Sequence, residues 1–239
     1  IFISGSSKGI GFGLAQRFKN KGYEVIINSN NIKNLKIASK KLGNCKYYLA
    51  NVCDPKSVKK IFEKIKKKYG NIDLIICNYG NSNPKNNHLN FEHALKHNFF
   101  STVNVVTEGV KLLKKNKGKI ICISSICGIE MIKNAPIGYS LAKSLINNYV
   151  KSISHSLGEK GITINSIAPG NILFDGSVWD KKIKKNKNKT LKYIKSVVPM
   201  KKFGTIDDIF ELCIFIENNK SQFASGSTYI LDGGQTKNF

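Results

Sequence analysis

Ser124-Ser125 is followed, fourteen residues after Ser125, by Tyr139-Ser140-Leu141-Ala142-Lys143. A tyrosine and a lysine four apart on a helix share one face, because 3.6 residues make a turn. A lysine ammonium within about 4–6 Å of a phenol stabilises phenolate and lowers its pKa from about 10 towards neutrality. A hydroxyl from a neighbouring strand end could hold a carbonyl oxygen against that phenol. Such a set could pass a proton to or from the oxygen while hydride moves at the carbon. The pair alone does not carry this chemistry. In a chain so rich in lysine, about one of the nine tyrosines would have Lys at +4 by chance, and one does. The elements around the pair must decide.

The chain has 239 residues, 41% of them hydrophobic and 10% aromatic, enough to bury a substantial core and too apolar for a disordered chain. No run approaches the ~20 apolar residues of a membrane span, and the first residues lack a signal-peptide pattern. The expectation is a cytoplasmic protein with no membrane partner. Ile1 falls inside an apolar run that reads as a strand, so further residues are expected before it. Cys45, Cys53, Cys77, Cys122, Cys127 and Cys213 form no C-x-x-C pair and read as reduced, mostly core thiols. The net charge of +24 raises nucleic acid as a partner. Arg17 is the only arginine, however, and a reader of bases or phosphates would use arginine's bidentate fork more often. The joint abundance of Lys, Asn and Ile reads as compositional drift, with a modest preference for anionic substrates and no nucleic-acid partner.

Residues 1–3 form an apolar run that breaks at Ser4-Gly5, as a buried strand entering a turn does. Gly5-Ser6-Ser7-Lys8-Gly9-Ile10-Gly11 leads into a helix over 12–21, and a second strand covers 23–28. The alternation continues with helix 32–42, strand 46–52, helix 55–69, strand 73–78, helix 91–113, strand 119–124, helix 139–158, strand 163–167, helix 206–218 and strand 228–231. This pattern predicts an α/β protein over residues 1–239: a single doubly wound (Rossmann) domain with a seven-stranded parallel sheet and helices on both faces. The lysine-dense stretch 171–202 breaks the rhythm; it reads as a solvated basic helix or as a lid over a site.

Gly5-x-x-x-Gly9-x-Gly11 between a strand and a helix suits a dinucleotide pyrophosphate: glycine lets backbone approach the phosphates, and the helix offers free N–H groups. At the end of the second strand an acid would bind a ribose 2′-hydroxyl and repel a 2′-phosphate. Asn28-Ser29-Asn30 stands there instead, with Lys8 facing it and Lys33 a second candidate cation. This favours NADP(H), with NAD(H) still open. His93 and His97 are four apart, but no H-E-x-x-H pattern or third ligand accompanies them, so no metal site is expected.

Seven motifs, in order, make the chain similar to the classical short-chain dehydrogenase/reductase family, near its 3-oxoacyl-carrier-protein reductase branch. They are the 5–11 glycine loop; Cys77-Asn78-Tyr79-Gly80, with Tyr79 where the family has alanine; Ile123-Ser124-Ser125-Ile126-Cys127-Gly128; Tyr139-x-x-x-Lys143; Asn165-Ser166-Ile167-Ala168-Pro169-Gly170; and the landmarks 199–204 with Asp207-Asp208-Ile209, and Asp232-Gly233-Gly234. The resemblance implies that Tyr139 is the general acid/base and that Lys143 binds the nicotinamide ribose and lowers the tyrosine pKa. Ser125 would hydrogen-bond the substrate oxygen, and Asn98 would hold a water in the proton relay. It further implies cofactor contacts from Gly5, Ser7, Lys8, Gly9, Ile10 and Gly11, from Asn28, Ser29 and Asn30, and from Asn51 and Val52 beside the adenine. Asn78, Gly80, Pro169, Gly170 and Ile172 complete that set. Asn51 departs from a common aspartate. A homotetramer or dimer is expected from the resemblance only.

The implied substrate is a small-molecule or carrier-bound carbonyl, first a 3-oxoacyl thioester. A sugar, polyol or nucleotide-linked sugar is the second reading, because Asp175, Trp179 and Asp180 offer polar and stacking contacts. A non-catalytic dinucleotide sensor or nucleic-acid binder is the third, opposed by the intact Ser125, Tyr139 and Lys143 set.

Overall fold

The computed structural model describes residues 1–81 and 87–237; positions 82–86 and 238–239 of the expected 1–239 span lie outside the described residues. Among the described residues, β1 (Phe2–Ile3), β2 (Ile26–Ser29), β3 (Lys46–Leu49), β4 (Leu74–Cys77), β5 (Lys119–Ile123), β6 (Thr163–Pro169) and β7 (Thr228–Leu231) form one sheet in the order β3-β2-β1-β4-β5-β6-β7. Every neighbouring pair is parallel. The chain reverses its direction of travel across the sheet between β1 and β4, the switch point where a crevice opens at the strands' carboxyl ends.

The strands are apolar at consecutive positions because both faces are covered. Successive residues point to opposite faces, and the two cores divide them accordingly. Phe2, Ile26, Ile75 and Ile120 pack beneath α3 (Pro55–Tyr69), α5 (Ser101–Gly109) and α6 (Ile137–Gly158). Ile3, Ile27, Ile76 and Ile121 pack beneath α1 (Gly9–Asn20), α2 (Ile32–Lys41) and α9 (Ile206–Asn218). Each such side chain contributes about 1.5–3 kcal/mol on burial. The helices carry the matching stripe: Val58, Ile61, Phe62 and Ile65 of α3 recur at helical spacing, and Asp54 caps its first turn ahead of Pro55. Arg17, the lone arginine, is spent on an exposed ion pair: Nε and Nη2 meet Asp207 Oδ1 and Oδ2 at 2.5 and 2.7 Å, tying α1 to α9.

Three elements differ from expectation. Helix α1 starts at Gly9, not residue 12, so the last glycines of the loop are its first turn. The helix expected over 91–113 is a jointed run: α4 (His88–Ala94), a π-helical turn Leu95–Phe100, α5, and a closing 3-10 turn Val110–Leu112. Stretch 171–202 holds two basic helices, α7 (Val178–Lys185) and α8 (Lys187–Val197), split at Asn186, whose extended backbone and side chain cap α8.

Candidate active site

Strand β5 ends at Ile123 and delivers Ser124 and Ser125 to the crevice. Ser125 has extended backbone (φ −166°, ψ 154°) and its Oγ accepts from the Cys127 amide at 3.2 Å, starting the tight turn Ile126–Gly128. That turn lies flat on α6: a Cβ on Gly128 would stand 2.5 Å from the Lys143 carbonyl carbon. Ser124 Oγ donates to Lys143 O at 3.1 Å, and Lys143 Nζ donates to Ile123 O at 2.8 Å. The β5 end and one turn of α6 are thereby locked together. Lys143 is only 3% exposed, and its Nζ lies 5.6 Å from the Tyr139 ring centre. The helix spacing read from sequence is therefore met.

The expected lowering of the tyrosine pKa is not. Burial pushes the Tyr139 phenol up to about 12, the neighbouring Cys127 adds to this, and a hydrogen bond with Ser125 works the other way. Burial also brings Lys143 down to about 8, against smaller opposing contributions from Cys122 and Cys127. The physical reason is shared: taking either group from water disfavours its charged form. The ammonium is bonded to the Ile123 carbonyl and sits beside the ring. The protein alone thus holds Tyr139 as a proton donor at neutral pH.

Asn98 is fully buried in the π-turn, a device that places an extra residue into a helix and is frequent at functional sites. Its Nδ2 donates to Asn81 O at 2.7 Å and Ala94 O at 2.9 Å, and its Oδ1 accepts from Asn81 N at 3.1 Å. The side chain staples the π-turn to the loop after β4, which leaves one lone pair of Oδ1 for a water. A Cβ on Gly80 would approach both Asn98 Oδ1 (2.8 Å) and Lys143 Nζ (3.3 Å), so Gly80, Asn98 and Lys143 converge.

Across the switch point, Gly5 (φ +60°) and Gly9 (φ +61°) take the left-handed conformation that favours glycine. Asn78 Nδ2 donates to Ser4 O and Gly5 O at 3.1 and 3.0 Å, and would stand 2.4 Å from a Cβ on Gly11. Helix α1 has twelve residues and no side-chain cap, leaving backbone N–H groups of its first turn free. Ser7, Ile10 and Lys8 border this cradle, Lys8 being exposed. A dinucleotide pyrophosphate fits these residues.

Other expected contacts are placed differently. Asn28 is 1% exposed. Its Nδ2 donates to Tyr48 O and Ala50 O (3.1 and 3.2 Å) and its Oδ1 accepts from Gly5 N, so its amide ties β2 to β3 and to the loop after β1. Ser29 and Asn30 reach the surface beside it. Val52 and Ile172 bury their side chains in the two cores, which leaves only their backbone to the crevice; Asn51 is exposed, its Oδ1 accepting from Cys53 N at 3.0 Å. Pro169 is buried at the end of β6, and Gly170 donates its amide to Leu231 O at 2.9 Å. Two features escaped sequence reasoning. The Phe174 ring would stand 3.4 Å from a Cβ on Gly9, so the 171–202 stretch touches the glycine loop; an aromatic just after a strand end was the only signal. Tyr79, His97 and Cys53 also meet, as developed below. Among the described residues no three His, Cys, Asp or Glu side chains group as a metal site, and no helix is long and apolar enough to cross a membrane.

A parallel sheet with a glycine cradle at its switch point, and serine, tyrosine and lysine at the next strand end, defines a dinucleotide-dependent oxidoreductase class. The family profile described as enoyl-(acyl carrier protein) reductase matches residues 5–236, and the chain belongs to the short-chain dehydrogenase/reductase family of NAD(P)-dependent oxidoreductases. It is 29% identical to the 3-oxoacyl-[acyl-carrier-protein] reductase FabG of Buchnera aphidicola from Acyrthosiphon pisum, over 98% of this chain and 95% of that one. It is 26% identical to the acetoacetyl-CoA reductase of Cupriavidus necator, over 98% and 96% of the two chains. Among solved structures, ElxO with NADP bound superposes with a TM-score of 0.87 at 28% identity, covering 98% of this chain and 97% of that one.

Proposed function

We propose that the protein is a cytoplasmic, single-domain NADPH-preferring reductase of a 3-oxoacyl thioester, acting as a homotetramer or dimer and without nucleic acid. The observation that carries the reading is the convergence of Ser125, Tyr139 and Lys143 where the carboxyl end of β5 meets the first turns of α6: Ser125 hydrogen-bonds the Tyr139 phenol, and the Lys143 ammonium sits beside that ring. Bound NADPH supplies the hydride. The chain's residues do the rest. Ser125 holds the ketone oxygen, and Tyr139 gives that oxygen its phenolic proton as negative charge develops there. Lys143 holds the nicotinamide ribose and, with Asn98 and a water, restores the proton. The glycine loop receives the pyrophosphate, and the lack of an acid at residues 28–30, beside Lys8, supports the 2′-phosphate cofactor.

A thioester is ranked above a sugar because two of the three side chains a sugar would use, Trp179 and Asp180, are engaged elsewhere. Trp179 stacks on Tyr193 (5.7 Å) and lies against Phe203, with Lys182 Nζ 4.3 Å above it. Asp180 is held by Lys184 at 2.7 Å and by the Gly176 amide. The 3-oxoacyl and acetoacetyl relatives support the same order.

The test is turnover of acetoacetyl-CoA with NADPH and with NADH, beside a panel of sugars and polyols. Acetoacetyl-CoA with NADPH should be the best pair, and Tyr139→Phe should lose at least ~100-fold in turnover while still binding NADPH. Turnover unchanged by Tyr139→Phe would overturn the mechanism, and turnover confined to sugars would overturn the substrate.

A further inference from the structure

Tyr79 stands where this chain departs from its family's strand-end pattern, and it lies directly on the cofactor cradle. Its amide donates to Ser4 Oγ at 3.1 Å, and a Cβ on Gly5 would come within 2.8 Å of its Cα. From there its ring reaches across the crevice to the π-turn, where the hydroxyl lies 2.7 Å from His97 Nδ1. Cys53, from the loop after β3, brings Sγ to 3.5 Å of the same nitrogen. The His93 ring stacks on His97 from one turn earlier at 4.0 Å, and its buried Nδ1 has no hydrogen-bond partner among the described residues. His97 directly precedes Asn98 in the turn.

We propose that the Tyr79 hydroxyl and His97 Nδ1 form a positioning strut for the reductase site, holding the π-turn that carries Asn98 at a fixed distance from the glycine loop. The inference rests on the reading of Ser125, Tyr139 and Lys143 as the reacting set. Asn98 spans to Asn81, only two residues beyond Tyr79, so the strut and the Asn98 staple brace one joint from two sides. Four groups face His97: Tyr79 and Cys53 across the crevice, His93 on α4, and Lys96 beside it in the turn. Burial, then His93 and Lys96, hold the imidazole's pKa below its ordinary 6.5. Burial, then Cys53, pushes the Tyr79 phenol up to about 12. Both partners are neutral at pH 7, so we assign the phenol as donor, Nδ1 as acceptor and the ring proton to Nε2. Protonation of His97 turns Nδ1 into a donor and the phenol oxygen into its acceptor, so the contact reverses direction and the strut holds in both charge states.

The test uses acetoacetyl-CoA and NADPH with three proteins: wild type, Tyr79→Phe and His97→Asn. Tyr79→Phe keeps the ring on Gly5 but loses the donor; kcat should fall about tenfold, in line with the cost of a small misplacement, while the Kd for NADPH changes less than about threefold. His97→Asn puts an amide oxygen near the Nδ1 position; it should keep kcat within about threefold of wild type. A Tyr79→Phe kcat within about twofold of wild type overturns the strut. So does a His97→Asn kcat that falls as far as that of Tyr79→Phe, or an equal loss of kcat and NADPH affinity. If Tyr79→Phe lowers the urea midpoint, His97→Asn decides, since only a hydrogen-bonded strut predicts that an amide acceptor at residue 97 preserves kcat. Failure of the strut with Tyr139→Phe inactive leaves the proposed mechanism standing; an active Tyr139→Phe removes both.

Discussion

Lys143 is costly to the fold, and replacing it with methionine exposes the cost. The ammonium is 3% exposed, and burial lowers its pKa from 10.5 to about 8. At about 1.4 kcal/mol for each tenfold change in proton affinity, that fall is about 3 kcal/mol of destabilisation. The sign follows from proton binding. Below about pH 8 both folded and unfolded chains hold the proton, and the folded state bears the whole cost. Between about 8 and 10.5 the unfolded chain binds more protons than the folded one, so wild-type stability rises with pH. Lys143→Met removes this titration and leaves the other lysines in place. It also strips Ile123 O of its donor, at about 1–3 kcal/mol that does not vary with pH. The informative quantity is therefore the difference in unfolding free energy, variant minus wild type, from urea titrations at several pH values. It should fall by about 2 kcal/mol between pH 7 and 9.5, with the variant inactive throughout. A difference flat to within about 0.5 kcal/mol would refute the claim that the buried ammonium is destabilising.

Two further outcomes follow from the same geometry. With Tyr139 holding its proton to about 12 and Lys143 losing its own near 8, kcat/KM for ketone reduction should fall as pH rises through about 8, whereas alcohol oxidation, which needs phenolate, should rise towards alkaline pH; parallel profiles in stopped assays of both directions would contradict this. Gly11→Ala drives a Cβ to 2.4 Å from Asn78 Nδ2 and 2.7 Å from Gly5 O, so NADPH affinity by calorimetry should drop at least about tenfold with a stability loss of about 1–3 kcal/mol; affinity within about twofold of wild type would show that the cradle tolerates the shift.

The fold was legible because its signals are local and redundant. Strand pairs such as Phe2-Ile3 and Ile75-Ile76 must be apolar on both sides, helix α3 announces itself with Asp54 and Pro55, and α9 with the Thr205–Asp208 capping box. The joint at 95–100 was not legible. A π-turn leaves the apolar spacing of a helix nearly intact, and what holds it, the Asn98 staple to Asn81, is a contact seventeen residues away. Stretch 171–202 failed for a related reason. Its lysines hide the helix boundary at Asn186, since an asparagine among exposed lysines is a cap only once the backbone is seen to be extended.

The site residues divide along the same line. Where a feature is carried by backbone, as in the turn at Gly5, Gly9 and Gly11, the spacing was enough to read a strand–turn–helix, and the positive φ of Gly5 and Gly9 and the close packing at Gly11 match it. Where the role depends on which way a side chain turns, spacing was not enough: Asn28 and Ser29 are adjacent, yet alternation along β2 sends one amide into the sheet and the other residue to the surface. Tyr139 and Lys143 show the limit most plainly. Spacing of four put ring and ammonium 5.6 Å apart, but their charge states depend on burial. Burial here is made by β5, the Ile126–Gly128 turn and the bond from Lys143 to Ile123, none of which is adjacent to the pair in sequence. A motif can fix which groups meet; the fold decides which of them carries the proton.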